Sequence, residues 1–86
     1  MTTLTKSNDV LTLAVGPPGM IKILGGVHLF PTSALRFPVD SVVWYSCNQW
    51  NRFGVGLKEG SKVTVEELSG EDCGALFRQL DKYMKT

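Results

Sequence analysis

Short runs of β-branched and aliphatic residues, separated by glycine and proline, predict β-strands in the first half of the chain. Residues 10–15 and 20–24 have this composition, and the Gly-Pro-Pro-Gly sequence of residues 16–19 separates them. Gly25-Gly26 is typical of a two-residue turn, here into a third strand at residues 27–30. The two segments after residue 19 therefore predict a hairpin.

The strand pattern is stronger further along. Strand formers or period-two alternation occur in residues 34–37, 42–45, 52–57 and 62–66. The amide-rich residues 48–51 predict a turn, and Lys58 to Ser61 predicts another, in which Gly60 is available for a positive φ. Phe53 and Val55 share one face at period two, so we expect their strand to pack on one side.

After residue 68 the apolar period changes to three and four, which predicts an amphipathic helix. The helix core face consists of Cys73, Leu76, Phe77, Leu80 and Met84. Ser69 lies three residues before Asp72, as in a capping box, so the two are the predicted helix cap.

These elements predict a mainly β (α+β) fold. We expect an antiparallel meander or a small, partly open barrel of five to six strands, followed by one C-terminal helix. We expect residues 1–86 to form a single domain, with a loose polar lead-in at residues 1–8, antiparallel strands over residues 9–68 and the helix over residues 69–85.

The overall charge does not indicate a particular class of partner. Nine Lys plus Arg against eight Asp plus Glu give +1, far from the basic excess that drives non-specific nucleic-acid binding. The apolar stretch of residues 20–30 is about half as long as a membrane-spanning helix, so we expect no membrane association.

Two cysteines are too few for a disulfide-dense secreted scaffold, and residues 1–6 lack the apolar core of a signal peptide. We therefore expect Cys47 and Cys73 to be reduced and the protein to be cytoplasmic.

The sequence contains no recognisable catalytic set. A nucleophilic Cys47 would need a base, and His28, the one histidine, lies in a different predicted hairpin. Glu66 and Glu67 are adjacent, so their side chains diverge and predict a solvated pair. With one His and two separated Cys there is no metal-ligand spacing, and we expect no catalytic residues, metal or cofactor.

Trp50, in the turn, is the strongest candidate for contact with another molecule. An indole at a turn either anchors an interface or stacks on a base, or it folds back over its own core. The sequence leaves both alternatives open. The candidate contact residues are Trp50, Arg52, Trp44, Tyr45 and Arg36.

The second half resembles small pleckstrin-homology-like domains, including the GRAM type. The resemblance lies in "ALRFPVDSVVWYSC", "RFGVGLKEGSKVTVEEL" and the helix "EDCGALFRQLDKYM". Its features are an edge strand with Arg36, the step from Asp40 to Val42, a hairpin from Leu57 to Gly60 and a closing helix from Ser69 to Met84. It implies a binding or assembly module without chemistry of its own.

We therefore expect a non-enzymatic binding or assembly module that acts through protein contacts and self-associates through an exposed strand edge. The alternative is a weak single-stranded nucleic-acid binder of the SH3 or Sm-like barrel type, which would use Trp and Tyr for stacking and Arg for the backbone.

Overall fold

The computed structural model describes residues 2–24, 31–32 and 34–85, in which strands form two antiparallel sheets and are followed by one helix. This confirms the predicted fold class. The strands are β1 (Thr3–Ser7), β2 (Val10–Ala14), β3 (Met20–Leu24), β4 (Pro31–Thr32), β5 (Ala34–Pro38), β6 (Val42–Cys47), β7 (Phe53–Leu57) and β8 (Lys62–Glu66). A short 3-10 helix (Val39–Ser41) precedes β6, and helix α1 (Gly70–Met84) ends the fold.

One sheet has the strand order β1-β2-β5 and the other the order β4-β3-β8-β7-β6. The strands from β6 to β8 are consecutive neighbours, joined by the predicted turns, and Gly60 adopts the expected positive φ of 100°. Two pairings join strands that are distant in sequence: β2 with β5, where Leu11 faces Phe37, and β3 with β8, where Ile21 faces Val65. The chain passes from one sheet to the other three times, after β2, after β4 and after β5.

The hydrophobic core contains side chains from both sheets and from the helix in one cluster. Every second residue of β2, β7 and β8 enters it, as period-two alternation requires. Its fully buried members are Leu11, Leu13, Ile21, Phe53, Val55, Val63, Val65, Cys73 and Leu80.

Helix α1 begins where the capping pattern places it, since the Ser69 side chain accepts a hydrogen bond from the Asp72 amide at 3.1 Å. On its core face Cys73, Leu76 and Leu80 are buried, and Phe77 and Met84 are half-buried against the same cluster.

Two tyrosine hydroxyls also hold the helix against the strands. Tyr45 of β6 donates to Asp81 Oδ1 at 2.6 Å, and its ring lies 5.3 Å from the Phe77 ring, centroid to centroid. The Tyr83 hydroxyl donates to the Leu4 carbonyl at 3.3 Å.

The prediction of a loose lead-in at residues 1–8 is wrong, because Thr3–Ser7 forms β1. The strand pairs with β2, opposing Leu4 to Leu13, and it buries Leu4 in the core. A single buried residue among polar neighbours leaves little local signal. The predicted Gly25-Gly26 turn and the strand at residues 27–30 lie outside the described residues. Among the described residues, no helix is long and apolar enough to cross a membrane.

Candidate binding surface

The turn between β6 and β7 has a fixed backbone that presents Trp50 to solvent. Asn48 Oδ1 accepts hydrogen bonds from the amides of Trp50 at 2.9 Å and Arg52 at 3.1 Å, and Asn51 adopts a positive φ of 58°. The Trp50 side chain is 68% exposed. Of the two alternatives that the sequence left open, core cover is therefore excluded.

Trp44 lies on the solvent side of the same hairpin, over two glycines of β7. A Cβ built at Gly56 would overlap the Trp44 indole nitrogen, and one built at Gly54 would lie 3.4 Å from the indole ring. The Lys62 ammonium lies 5.7 Å from the ring centroid, a cation–π distance. The ring covers the glycines and remains 42% exposed.

We call the solvent-facing side of the five-stranded sheet the outer face. One row across the strands contains Trp44, Gly56, Lys62 and Leu24, and the next contains Ser46, Gly54, Thr64 and Lys22. Glu66 and Met20 face each other in the following row. A cavity of about 320 Å³ lies along this face, and a cavity of about 340 Å³ that is lined by Trp50 adjoins it. Both cavities are lined by Arg52 and Glu66, so Trp50 borders the outer face.

Glu66 forms the centre of an ion network on the outer face. Its carboxylate lies 2.8 Å from the Lys22 ammonium and 3.8 Å from Arg52 Nε. The hydrogen bond from Lys22 lowers the pKa of the Glu66 carboxyl, and the charges of Lys22 and Arg52 add to this effect. Glu66 therefore differs from its exposed neighbour Glu67, because Lys22 of β3 and Arg52, which precedes β7, both lie within ion-pair distance of it.

The five candidate contact residues do not form one cluster. Trp44, Trp50 and Arg52 lie together on the outer face and its adjoining turn. Tyr45 points to the opposite side of β6, where its hydroxyl is bonded to Asp81 and cannot stack on a partner. Arg36 belongs to β5 in the other sheet and lines a separate cavity. Tyr45 and Arg36 are therefore not contact residues of the same surface.

Cys47 and Cys73 form a disulfide, so the prediction that both thiols are reduced is wrong. Cys47 ends β6 and Cys73 lies in the first turns of α1, with their Cα atoms 6.3 Å apart. The two are 26 residues apart in sequence, and they meet because α1 packs beside the β6–β7 hairpin. Cys47 consequently has no free thiol for nucleophilic chemistry.

Sequence reasoning missed Lys22, Lys62 and Glu66 as members of the surface. The alternation of β8 does place Lys62, Thr64 and Glu66 on one face, but the antiparallel pairing with β3 adds Lys22, and no local pattern encodes that pairing. Within the described ranges, no group of three or more His, Cys, Asp or Glu side chains is arranged to hold a metal ion.

Comparisons with known protein families, with curated proteins and with solved structures found no match to this chain.

Proposed function

We propose that this protein is a non-enzymatic binding module whose contact surface is the outer face together with Trp50, and that its partner is a second copy of the chain. The observation that carries the proposal is the grouping of exposed large apolar side chains. Met20, Leu24 and Trp44 are exposed on the outer face, and Trp50 projects beside it. Tryptophan, methionine and arginine are the residues enriched at protein interfaces.

The charges on this surface favour a protein over a phosphate backbone. Glu66 forms ion pairs with both Lys22 and Arg52, so a negative charge lies between the two cations that would otherwise contact phosphates. Lys62 lies over Trp44. A surface with both signs of charge and several apolar anchors matches the core and rim of a protein interface.

A second copy satisfies the requirement of a two-fold interface, which is a self-complementary surface. Each copy offers a projecting indole at Trp50 and, next to it, open cavities bordered by Arg52 and Glu66. β6 and β4 are the edge strands of this sheet. A bulge between Val42 and Trp44 interrupts the register of β6, and β4 is only two residues long. Bulges discourage edge-to-edge pairing, so we place the contact on the face rather than along a continuous intermolecular sheet.

Sedimentation velocity over a wide range of protein concentration tests this proposal. The sedimentation coefficient of the unmodified protein should rise with concentration. Trp50→Ser should weaken self-association roughly thirtyfold, since truncating an interface hot spot costs about 2 kcal/mol or more. Arg78→Gln, on the exposed side of α1, is the matched control and should leave association unchanged. A strict monomer at the highest concentration refutes the proposal.

The alternative function is single-stranded nucleic-acid binding, which one observation favours. Trp50 is exposed beside Arg52, whose side chain is 58% exposed, and an indole next to a guanidinium is a suitable platform for a base and its phosphate. Titration of an oligonucleotide at low and moderate salt, monitored by tryptophan fluorescence, separates the two functions. A saturable, salt-dependent change that is lost in Trp50→Ser would favour nucleic acid; no change would reject it.

We propose a non-enzymatic function because Cys47 was the one candidate nucleophile in the sequence. Its sulfur is bonded to Cys73. Two antiparallel sheets with a closing helix agree with the resemblance to pleckstrin-homology-like domains, and we propose that relationship for the fold. An SH3 or Sm-like barrel is the alternative.

The proposed cytoplasmic location has lost its support from the cysteines. That expectation rested on the small number of cysteines and on the composition of residues 1–6, and the disulfide removes the first of these arguments, since disulfides persist mainly in oxidising compartments.

A further inference from the structure

The disulfide ties the turn that carries Trp50 to the start of helix α1. We call residues 48–52, between β6 and β7, the Trp50 turn. Cys47 is the residue before this turn, and Cys73 lies in the first turns of the helix, with 6.3 Å between their Cα atoms. The covalent bond therefore fixes one end of the turn to the helix start.

The Trp50 turn is a rigid unit. The Asn48 amide donates to the Arg52 carbonyl at 3.1 Å, and the Asn51 amide donates to the Asn48 carbonyl at 3.1 Å. Asn48 Oδ1 accepts hydrogen bonds from the amides of Trp50 and Arg52. Because these bonds hold the backbone of the whole turn, a displacement at Cys47 moves the Trp50 indole with it.

A noncovalent contact and an open cavity lie beside the disulfide. A Cβ built at Gly70 would lie 3.3 Å from Asn51 Oδ1, so the Asn51 side chain lies against the first residue of the helix. The cavity of about 340 Å³ is lined by Trp50 on the turn and by Leu68 and Ser69 before the helix. An indole released from the tether therefore has space in which to move.

The far end of helix α1 is held by contacts that do not involve the cysteines. Asp81 accepts a hydrogen bond from the Tyr45 hydroxyl at 2.6 Å, and the Tyr83 hydroxyl donates to the Leu4 carbonyl at 3.3 Å. Neither bond depends on the disulfide. We therefore expect a cut in the disulfide to release the helix start and the Trp50 turn, and to leave the rest of the helix in place.

The two sulfurs differ in their access to a reductant. Cys47 is exposed, whereas Cys73 is fully buried. A thiolate of a dithiol attacks the Cys47 sulfur, which breaks the bond to Cys73, forms a mixed disulfide at Cys47 and releases the Cys73 thiolate. The second thiolate of the dithiol attacks the first sulfur of the dithiol, closes a disulfide within that molecule and releases the Cys47 thiolate. Two electrons pass from the dithiol to the protein, and each released thiolate takes up one proton.

We propose that this disulfide is a redox switch of the outer face. Reduction by a dithiol frees the Trp50 turn from the helix start, and the freed indole is no longer held in one position beside the outer face. An interface side chain that must be ordered on binding costs affinity, so the reduced protein self-associates more weakly. This weakening rests on the self-association proposed above, whereas the release of the turn does not.

Nuclear magnetic resonance of the full chain at low concentration, before and after addition of dithiothreitol, tests the release of the turn. The Trp50 indole N–H resonance should shift, and its heteronuclear NOE should fall. The Trp44 resonance should keep its position, because that ring lies over Gly54 and Gly56. The Leu13 amide, in the core, reports that the fold is retained. A Trp50 resonance with the same shift and NOE in both states overturns the proposal.

Sedimentation velocity of the oxidised and the reduced protein tests the effect on self-association. Reduction should weaken association about tenfold, a change within the usual range of coupling between two sites. Equal association of the two forms overturns the switch and leaves the proposed self-association intact. A strict monomer in the oxidised form refutes the self-association; release of the Trp50 indole on reduction then still supports control of the turn by the disulfide.

Two variants separate the switch from a loss of overall stability. The double variant Cys47→Ala, Cys73→Ala should behave as the reduced protein does and should not respond to dithiothreitol. Leu4→Ala lowers stability through a cavity in the core but keeps the disulfide, so it should associate as the unmodified protein does. If that variant does not fold, Leu4→Val is the control. Equal weakening by reduction and by the control overturns the proposal, since reduction would then act only through stability.

Discussion

At the scale of single residues, the position of the Trp44 ring explains why β7 contains glycine at positions 54 and 56. A side chain at position 56 would occupy the space of the Trp44 indole, and the ring also lies against Gly54. The two glycines let the ring lie flat on the sheet, where Lys62 approaches it. The sequence shows strand glycines and a nearby tryptophan, but only the register between β6 and β7 shows that they meet.

We predict that Gly56→Ala destabilises the protein by about 1–3 kcal/mol, because the added methyl group displaces the indole. Urea denaturation measures this cost. In a Trp44→Ala background the indole is gone, and alanine is otherwise preferred to glycine in a strand by about 0.5–1 kcal/mol. The same change should then be neutral or stabilising. Equal destabilisation in both backgrounds would contradict the packing described for Trp44.

The Tyr45–Asp81 hydrogen bond predicts how stability depends on pH. This bond, followed by the contact with Lys85, lowers the pKa of the Asp81 carboxyl, and the Glu66 network lowers that of Glu66. A carboxyl whose pKa is lower in the folded state stabilises the fold above its unfolded pKa, and this contribution is lost as pH falls through the folded pKa.

Stability should therefore decrease on acidification below about pH 4, the usual carboxyl range. Asp81→Asn should reduce the slope of unfolding free energy against pH in this range. Asp40→Asn, an exposed carboxyl in the 3-10 helix, is the control and should retain the slope. An unchanged slope in Asp81→Asn would show that the hydrogen bond does not favour the ionised carboxyl.

At the scale of elements, the disulfide links the end of β6 to the start of α1. Cys47 immediately precedes the turn that carries Trp50, and Cys73 is fully buried on the helix. The link therefore joins the hairpin of the binding surface to the helix that closes the core.

We predict that reduction lowers the free energy of unfolding by roughly 3–4 kcal/mol, the loop-entropy value for a separation of 26 residues. Urea denaturation with and without a reductant measures this difference. The double variant Cys47→Ala, Cys73→Ala should have the lower stability and no response to reductant. Two free thiols in the denatured, unreduced protein would contradict the assignment.

The elements also show which features the sequence encodes locally. Helix α1 follows from its apolar period and its Ser69 cap, and the β7–β8 hairpin from the turn containing Gly60. The pairing of β3 with β8 and of Cys47 with Cys73 depends on contacts between distant segments, which no local pattern specifies. Trp50 lies in a turn that the local sequence encodes, so it could be predicted. The Glu66 network depends on the pairing of β3 with β8, so it could not.

At the scale of the whole molecule, the two sheets present different surfaces. The outer face of the five-stranded sheet combines exposed apolar residues with the ion network of Glu66, whereas exposed residues of β1 and β5 in the three-stranded sheet include Thr3, Thr5, Lys6 and Arg36. Among the described residues, the large exposed apolar side chains thus belong to the five-stranded sheet and its β6–β7 turn.

The most direct test of the central claim uses the two tryptophans as probes, since the chain contains no others. Each indole N–H gives one resonance in a proton–nitrogen correlation spectrum, and the experiment follows these resonances over a series of protein dilutions. We predict that the Trp44 and Trp50 signals both shift with concentration, together with the Leu24 and Lys62 amides, while the Arg36 amide stays constant. Indole signals that do not change over the whole dilution range would contradict self-association through the outer face.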